Sequence, residues 1–251
     1  MATAPIHFEN APIREAVIAI QVHDLPDSTV EELQRLPQDV KDTYPKSTTI
    51  SLSKFVGEIK PQGGGAVVAS AHQKSLGLQF QSADSKQLFQ ARLNGFSFHR
   101  LAPYESWKPF RDEAFKLWGH YRRFIGPVKV INFSVRYINA LVVPASGLLE
   151  TYVRVYPELP PEIPQAMNNY YLRLDLPLKN EGSGDGILTM TQTLLPSGQP
   201  ETSSILLDNL FTYAALDVAD DVLWKRIDAV QEVKNRIFLA TLTPEMQRRI
   251  A

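Results

Sequence analysis

The sequence predicts an α+β fold. Two similar β-α-β(3-4)-α halves join into a curved antiparallel sheet with two long helices. Three observations predict it. Stretches with period-two alternation come in runs instead of alternating with helices, the mark of an antiparallel sheet with helices gathered on one face. Each run ends in a wide apolar stripe at helical spacing, at 106–125 and at 219–242. Each stripe carries a tryptophan near its start, Trp107 and Trp224.

At 13–22, Ala16, Ile18, Ile20 and Val22 alternate with Val17, Ala19 and Gln21, as in a strand with one buried face. Ser28 stands three residues before Glu31, the spacing of a capping box, and predicts a helix over 29–36 that stops before Pro37. A strand-like stretch follows at 47–60, and Gly63-Gly64-Gly65 reads as a flexible turn. Leu76, Leu78 and Phe80 alternate with Gly77, Gln79 and Gln81, a half-buried strand, after which Ser82-Ala83-Asp84-Ser85 turns the chain. Residues 87–101 read as one long strand, bent or bulged at Asn94-Gly95. The helix at 106–125 aligns Trp107, Phe110, Ala114, Leu117, Trp118, Tyr121 and Phe124; Pro109 is tolerated only in its first turn, and Gly126-Pro127 stops it.

The second half repeats this order. A long strand at 129–143 puts Ile131, Phe133, Val135, Tyr137 and Leu141 on one face, with Asn139 intruding among them. A buried amide costs on the order of 1–3 kcal/mol unless it is bonded, so Asn139 satisfies a bulge or lines a cavity. A turn and short helix follow at 144–156, then strands at 169–178, 186–195 and 203–213. The helix at 219–242 turns Leu223, Ile227, Val230, Ile237 and Phe238 inward, and Thr243-Pro244 caps and opens a short terminal helix. The element order looks like a TBP-like or helix-grip duplication, a single compact unit, 1–251, with repeat halves 1–127 and 128–251.

Composition excludes several functions. With no cysteine there are no disulfides, thiolate metal sites or cysteine nucleophile. A balance of 26 basic against 27 acidic residues argues against nucleic acid as a partner. Apolar runs such as Ala140-Leu141-Val142-Val143 fall far short of the ~20 residues a membrane-crossing helix needs. The first ten residues lack the basic and apolar regions of a signal peptide, so the cytoplasm is the expected compartment. His7, His23, His72, His99 and His120 are too scattered for a metal-ligand motif, although His99, beside Arg100 in a long strand, stands out from the rest. His120 reads as a partly exposed helix residue. The glycine run lacks the Gly-Lys-Ser/Thr of a phosphate loop, and no Gly-x-Ser-x-Gly elbow pairs a serine with a base. Glu31-Glu32, Asp112-Glu113 and Asp220-Asp221 read as solvated helix acids. The strand arginines Arg92, Arg100, Arg136 and Arg173 are offset by Asp175 and Asp208. No cofactor, metal or catalytic residue is expected.

Three blocks carry a family resemblance: Asn10-Ala11-Pro12-Ile13 followed by Glu15-Ala16-Val17; Gly95-Phe96 with Arg100-Leu101, Pro103-Tyr104 and Trp107; and Arg136-Tyr137-Ile138-Asn139. Together they resemble a sporadically distributed family of prokaryotic proteins of similar length and no assigned activity. The resemblance implies that Glu15, Arg100, Tyr104, Trp107, Arg136 and Asn139 are recurrent positions. It implies no cofactor and no catalytic residue. Sporadic occurrence is an association with defence or toxin neutralisation, and supplies no mechanism.

The expected function is a non-enzymatic cytoplasmic protein-interaction module with a protein partner, in a toxin-neutralising or defence-accessory role. A homo-oligomer is compatible with it. The alternative is a small-molecule binder with a cavity between the curved sheet and a long helix, lined by Phe133, Tyr137 and Trp118. An enzyme of unrecognised type ranks third. The candidate binding residues are Glu15, Arg100, Tyr104, Arg136 and Asn139.

Overall fold

Nine strands form a single antiparallel sheet in the computed structural model, which describes residues 11–58, 68–165, 167–179 and 182–251. The first half comprises β1 (Ile13–Val22), α1 (Thr29–Leu33), α2 (Pro37–Val40), β2 (Lys46–Glu58), β3 (Val68–Gln81), β4 (Gln87–Arg92), β5 (Gly95–Leu101) and α3 (Trp107–Ile125). The second comprises β6 (Val130–Pro144), a 3-10 turn at Leu149–Thr151, β7 (Tyr171–Leu178), β8 (Gly186–Pro196), β9 (Thr202–Ala214), α4 (Asp220–Thr241) and α5 (Pro244–Ile250). Across the sheet the order is β2-β3-β4-β5-β1-β6-β9-β8-β7. The strands that open the two halves, β1 and β6, therefore pair at the centre. Among the described residues no helix is long and apolar enough to cross a membrane.

Both long helices pack on one face of this sheet. Ile18 and Ile20 of β1, Phe96 and Phe98 of β5 and Phe133 and Val135 of β6 share a core with Leu117, Trp118 and Tyr121 of α3 and Leu223, Ile227 and Val230 of α4. Each such side chain stabilises the fold by roughly 1.5–3 kcal/mol through burial. Phe98 stacks on Phe110 with centroids 5.5 Å apart, and Phe96 meets Trp118 edge-on at 5.9 Å. A second cluster gathers Leu141, Val143, Leu194, Ile205 and Leu207 under Leu242, Met246 and Ile250. The two long helices are joined by polar contacts: Trp107 Nε1 and Arg111 Nε donate to Asp228 Oδ1 at 3.2 and 3.1 Å, and Arg122 Nη1 donates to Asp220 Oδ1 at 3.0 Å. As α3 advances its partners on α4 recede, so the pair is antiparallel.

Several local expectations are corrected. Ser28 has helical dihedrals, φ −59° and ψ −22°, and its side chain caps nothing. The capping box needs an extended N-cap, and here the helical turn has already begun before it. Pro37 sits in the first turn of α2, where its missing N–H costs nothing, so it starts a second helical turn as well as following the first. The long strand expected at 87–101 is a tight hairpin: Arg92 pairs with Gly95, and Leu93-Asn94 forms the loop. Buried positions accordingly switch from odd (Phe89, Ala91) to even (Phe96, Phe98). Thr243 does cap α5, accepting from the Met246 N–H at 3.2 Å. The run Gly63-Gly64-Gly65, His7 and Asn10 lie outside the described residues.

Gly95 has φ +155°, and a β-carbon there would lie 2.4 Å from the carbonyl oxygen of Ile20 on the neighbouring strand. Gly95→Ala is expected to lower the urea-unfolding free energy by more than about 2 kcal/mol. Gly198→Ala, whose β-carbon would meet nothing within 4 Å, should stay within about 0.5 kcal/mol of the parent.

Candidate functional site

The sheet separates the five predicted binding residues. Residues of a strand alternate between its faces, and β1 and β6 bury their even and odd positions respectively against the helices. Glu15 and Arg136 therefore lie on the open face, whereas Arg100, Tyr104 and Asn139 lie on the helix side.

On the open face the polar groups neutralise one another. Glu15 Oε1 accepts from His99 Nδ1 at 2.7 Å, and the other ring nitrogen, Nε2, lies 2.9 Å from Ser97 Oγ. This contact to His99 holds the Glu15 carboxyl below its usual range, with burial opposing and Arg136 assisting. Arg136 Nε donates to Asp208 Oδ1 at 2.7 Å, and Asp208 raises the guanidinium above its ordinary value. Of the strand arginines considered for nucleic-acid binding, Arg100, Arg136 and Arg173 are each tied to a carboxylate: Glu105, Asp208 and Asp175.

On the helix side a cavity of about 380 Å³ opens between β6, β9, the start of α3 and the second half of α4. Its polar lining includes Tyr104, Tyr137, Asn139, Asn209 and Lys234. The Tyr104 and Tyr137 hydroxyls share a hydrogen bond of 2.9 Å, and their rings meet edge-on at 5.6 Å. Lys234 Nζ lies 4.3 Å from the centroid of the Tyr137 ring and donates to Asn235 Oδ1 at 2.6 Å. Burial raises the Tyr137 phenol well above its ordinary value and pushes Tyr104 up to about 12. Burial also pushes the Lys234 amine down to about 8, and no carboxylate among the described residues lies within ion-pair distance of it.

The cavity sits where the apolar face of the sheet is interrupted. Along β6, Tyr137 belongs to the larger core and Leu141 to the smaller, with Asn139 between them. Along β9, Phe211 and Leu207 bracket Asn209, and along β8, Met190 and Leu194 bracket Gln192. All three amides are at most 3 % exposed. Asn209 Oδ1 is buried and accepts no hydrogen bond from the described residues. An unmet acceptor of this kind costs about 1–3 kcal/mol, which a well-placed ligand donor would relieve.

Beside this cavity a second hollow of about 370 Å³ shares Tyr104, Glu105 and Ser106 and contains Arg100. Arg100 Nη2 donates to Glu105 Oε1 at 2.7 Å. The Tyr44 hydroxyl lies 2.8 Å from Gln87 Oε1 and 3.0 Å from Glu113 Oε1.

Tyr104, Tyr137 and Asn139 are thus brought together as cavity residues, with Arg100 next door. Phe133 and Trp118, expected in the lining, are packed in the core instead: Phe133 stacks on Tyr213 at 5.3 Å, and Trp118 lies against Phe96. Arg136 is turned away because its neighbour Tyr137 faces inward. His120 is partly exposed, 3.4 Å from Asp39. Among the described residues no group of three or more His, Asp or Glu is placed to hold a metal.

Sequence reasoning missed Lys234, Asn209 and the Ser97–His99–Glu15 line. Lys234 had a signal: it continues the inward stripe Leu223, Ile227, Val230 at the next helical step, a lone charge on an apolar face. Ser97 and His99 share one face of β5 by alternation, but only strand pairing places Glu15 beside them. No protein-family model matches the chain, and no curated protein sequence matches it.

In the unfolded chain Lys234 titrates near 10.5, above its folded value of about 8. Between these values the unfolded chain binds more protons, so this group makes stability rise with pH. Lys234→Met should therefore exceed the parent in stability near pH 7 by about 1–2 kcal/mol, allowing for the partial exposure of the side chain. The difference should shrink toward pH 10.5. Urea unfolding across this range checks it, and a gap independent of pH would contradict the burial argument.

Proposed function

We propose that the protein binds a small organic ligand in the cavity between β6, β9 and the two long helices. One observation carries this reading: a cavity of about 380 Å³ is lined by the Lys234 amine, which has no carboxylate partner among the described residues, and by buried amides, one with an acceptor unmet among those residues. Such a combination of apolar wall and convergent polar groups is typical of ligand sites. The ligand's apolar body packs against Trp107, Phe211 and Phe238, and its oxygen-bearing head meets Lys234, Asn139 and the tyrosine hydroxyls. The protein acts here as a cytoplasmic binding protein.

A second reading, docking of a protein partner, is favoured by the open sheet face. Val142, Ile187 and Leu195 are 42 %, 52 % and 43 % exposed there, and Tyr171 adds a ring 68 % exposed at the edge. A nucleic-acid partner is disfavoured because three of the four strand arginines considered, Arg100, Arg136 and Arg173, are tied to acids.

We also read the two halves as copies of one module, meeting at 127/128. What supports this is the mirrored strand order outward from the centre: β1, β5, β4, β3 on one side and β6, β9, β8, β7 on the other. In each half a long helix follows the strand beside the central one, and β2 has no counterpart in the second half.

Aromatic carboxylates, alcohols and aldehydes screened by ligand-observed NMR test the ligand reading. Binders should be found for the parent and weakened at least tenfold, about 1.4 kcal/mol, by Asn139→Leu. Asn139→Leu itself should leave stability within about 1 kcal/mol, because the side chain gives up no hydrogen bond to the described residues. A strongly destabilised variant, or unchanged affinity, would assign Asn139 to structure.

A further inference from the structure

The amine in the cavity is placed for covalent chemistry as well as for charge. Lys234 Nζ faces the cavity with the Tyr137 ring 4.3 Å from it and Asn235 Oδ1 at 2.6 Å. No acid among the described residues offsets the burial that disfavours its charge, so its proton is easily surrendered. A desolvated lysine in an apolar pocket is a nucleophile toward carbonyl carbon. The same cavity holds a pair of proton donors: the Tyr137 hydroxyl, carried by the ring over which the amine rests, and the Tyr104 hydroxyl 2.9 Å from it, either of which can be the donor.

Building on the ligand-binding reading above, we propose that Lys234 holds a carbonyl ligand of this cavity, an aldehyde or ketone with an apolar body, as an imine. The Nζ lone pair adds to the carbonyl carbon, forming the C–N bond while the C=O π pair moves to oxygen. That oxygen takes a proton from the tyrosine pair, and the nitrogen returns one. The resulting hydroxyl then leaves as water with a second proton from nitrogen, and the C=N bond remains. One amine and one carbonyl give one imine and one water, with no oxidant or reductant. Lys234 is the reacting residue; Tyr137 is the proton donor, and Tyr104 positions it. The raised phenol values of both tyrosines keep them protonated, and the lowered value of Lys234 supplies free amine near pH 8.

The test uses the full chain with 4-formylbenzoate and cyanoborohydride at pH 8, followed by intact mass and peptide mapping. The reduced adduct should form on Lys234 at least about tenfold faster than on any other lysine. Tyr137→Phe should slow it by about tenfold or more while the protein stays folded, whereas a merely structural tyrosine would leave the rate unchanged. The analogue 4-methylbenzoate, which lacks the aldehyde and should bind and compete, separates the two readings. If the analogue binds in the cavity but Lys234 is labelled no faster than surface lysines, the imine is overturned and the binding reading stands. If neither compound binds and the lysines label uniformly, both fall. Mapping on the parent protein makes the result independent of whether any Lys234 variant folds.

Discussion

The hydrogen-bonded pairing of β1 with β6, from Glu15 opposite Ile138 to Val22 opposite Val130, joins the two halves into one sheet. Each half has its own alternating strands and its own apolar helix. Once the central strands pair, the buried faces of both halves must lie on the same side, because a slip of one residue would turn every side chain over. The long helices are then side by side, and their contact is settled by Trp107, Arg111 and Asp228 and by Arg111 over the Trp224 ring at 5.0 Å. The cavity arises in the angle between these helices and the strands that bear them.

That cavity is also where the fold gives up some stability. Asn139 and Asn209, which line it, and Gln192, which does not, divide what would otherwise be one continuous apolar face into two clusters. Lys234 carries its charge in a place where burial disfavours it. Leucine at these positions would pack more favourably. Residues that conflict with the local rule of an apolar inner face are commonly found at functional sites, where stability is traded for a polar group of defined geometry. The open face shows the opposite design: Glu15 with His99 and Arg136 with Asp208 satisfy each other across neighbouring strands.

Much of this was visible in the chain. Alternation in 13–22 and 129–143 identified β1 and β6 and the face each buries, and Asn139 stood out because it broke that alternation. The hairpin at Leu93-Asn94 differs from the one bent strand that the local pattern predicts; the change of apolar parity from Phe89 and Ala91 to Phe96 and Phe98 marks the reversal. Lys234 continues the apolar stripe of α4, where periodicity marks it as an exception but does not say what it faces.

Local periodicity is a property of consecutive residues, so most of the strands, the long helices, their buried faces and the polar intruder Asn139 were determined by sequence alone. Which of those residues become neighbours was decided only by tertiary structure, since strand pairing and helix docking join positions far apart in the chain. Glu15, Arg136 and Asn139 lie on two adjacent strands, yet the sheet sends the first two to its open face and the third to the cavity. There Asn139 lines the same hollow as Lys234, ninety-five positions further along.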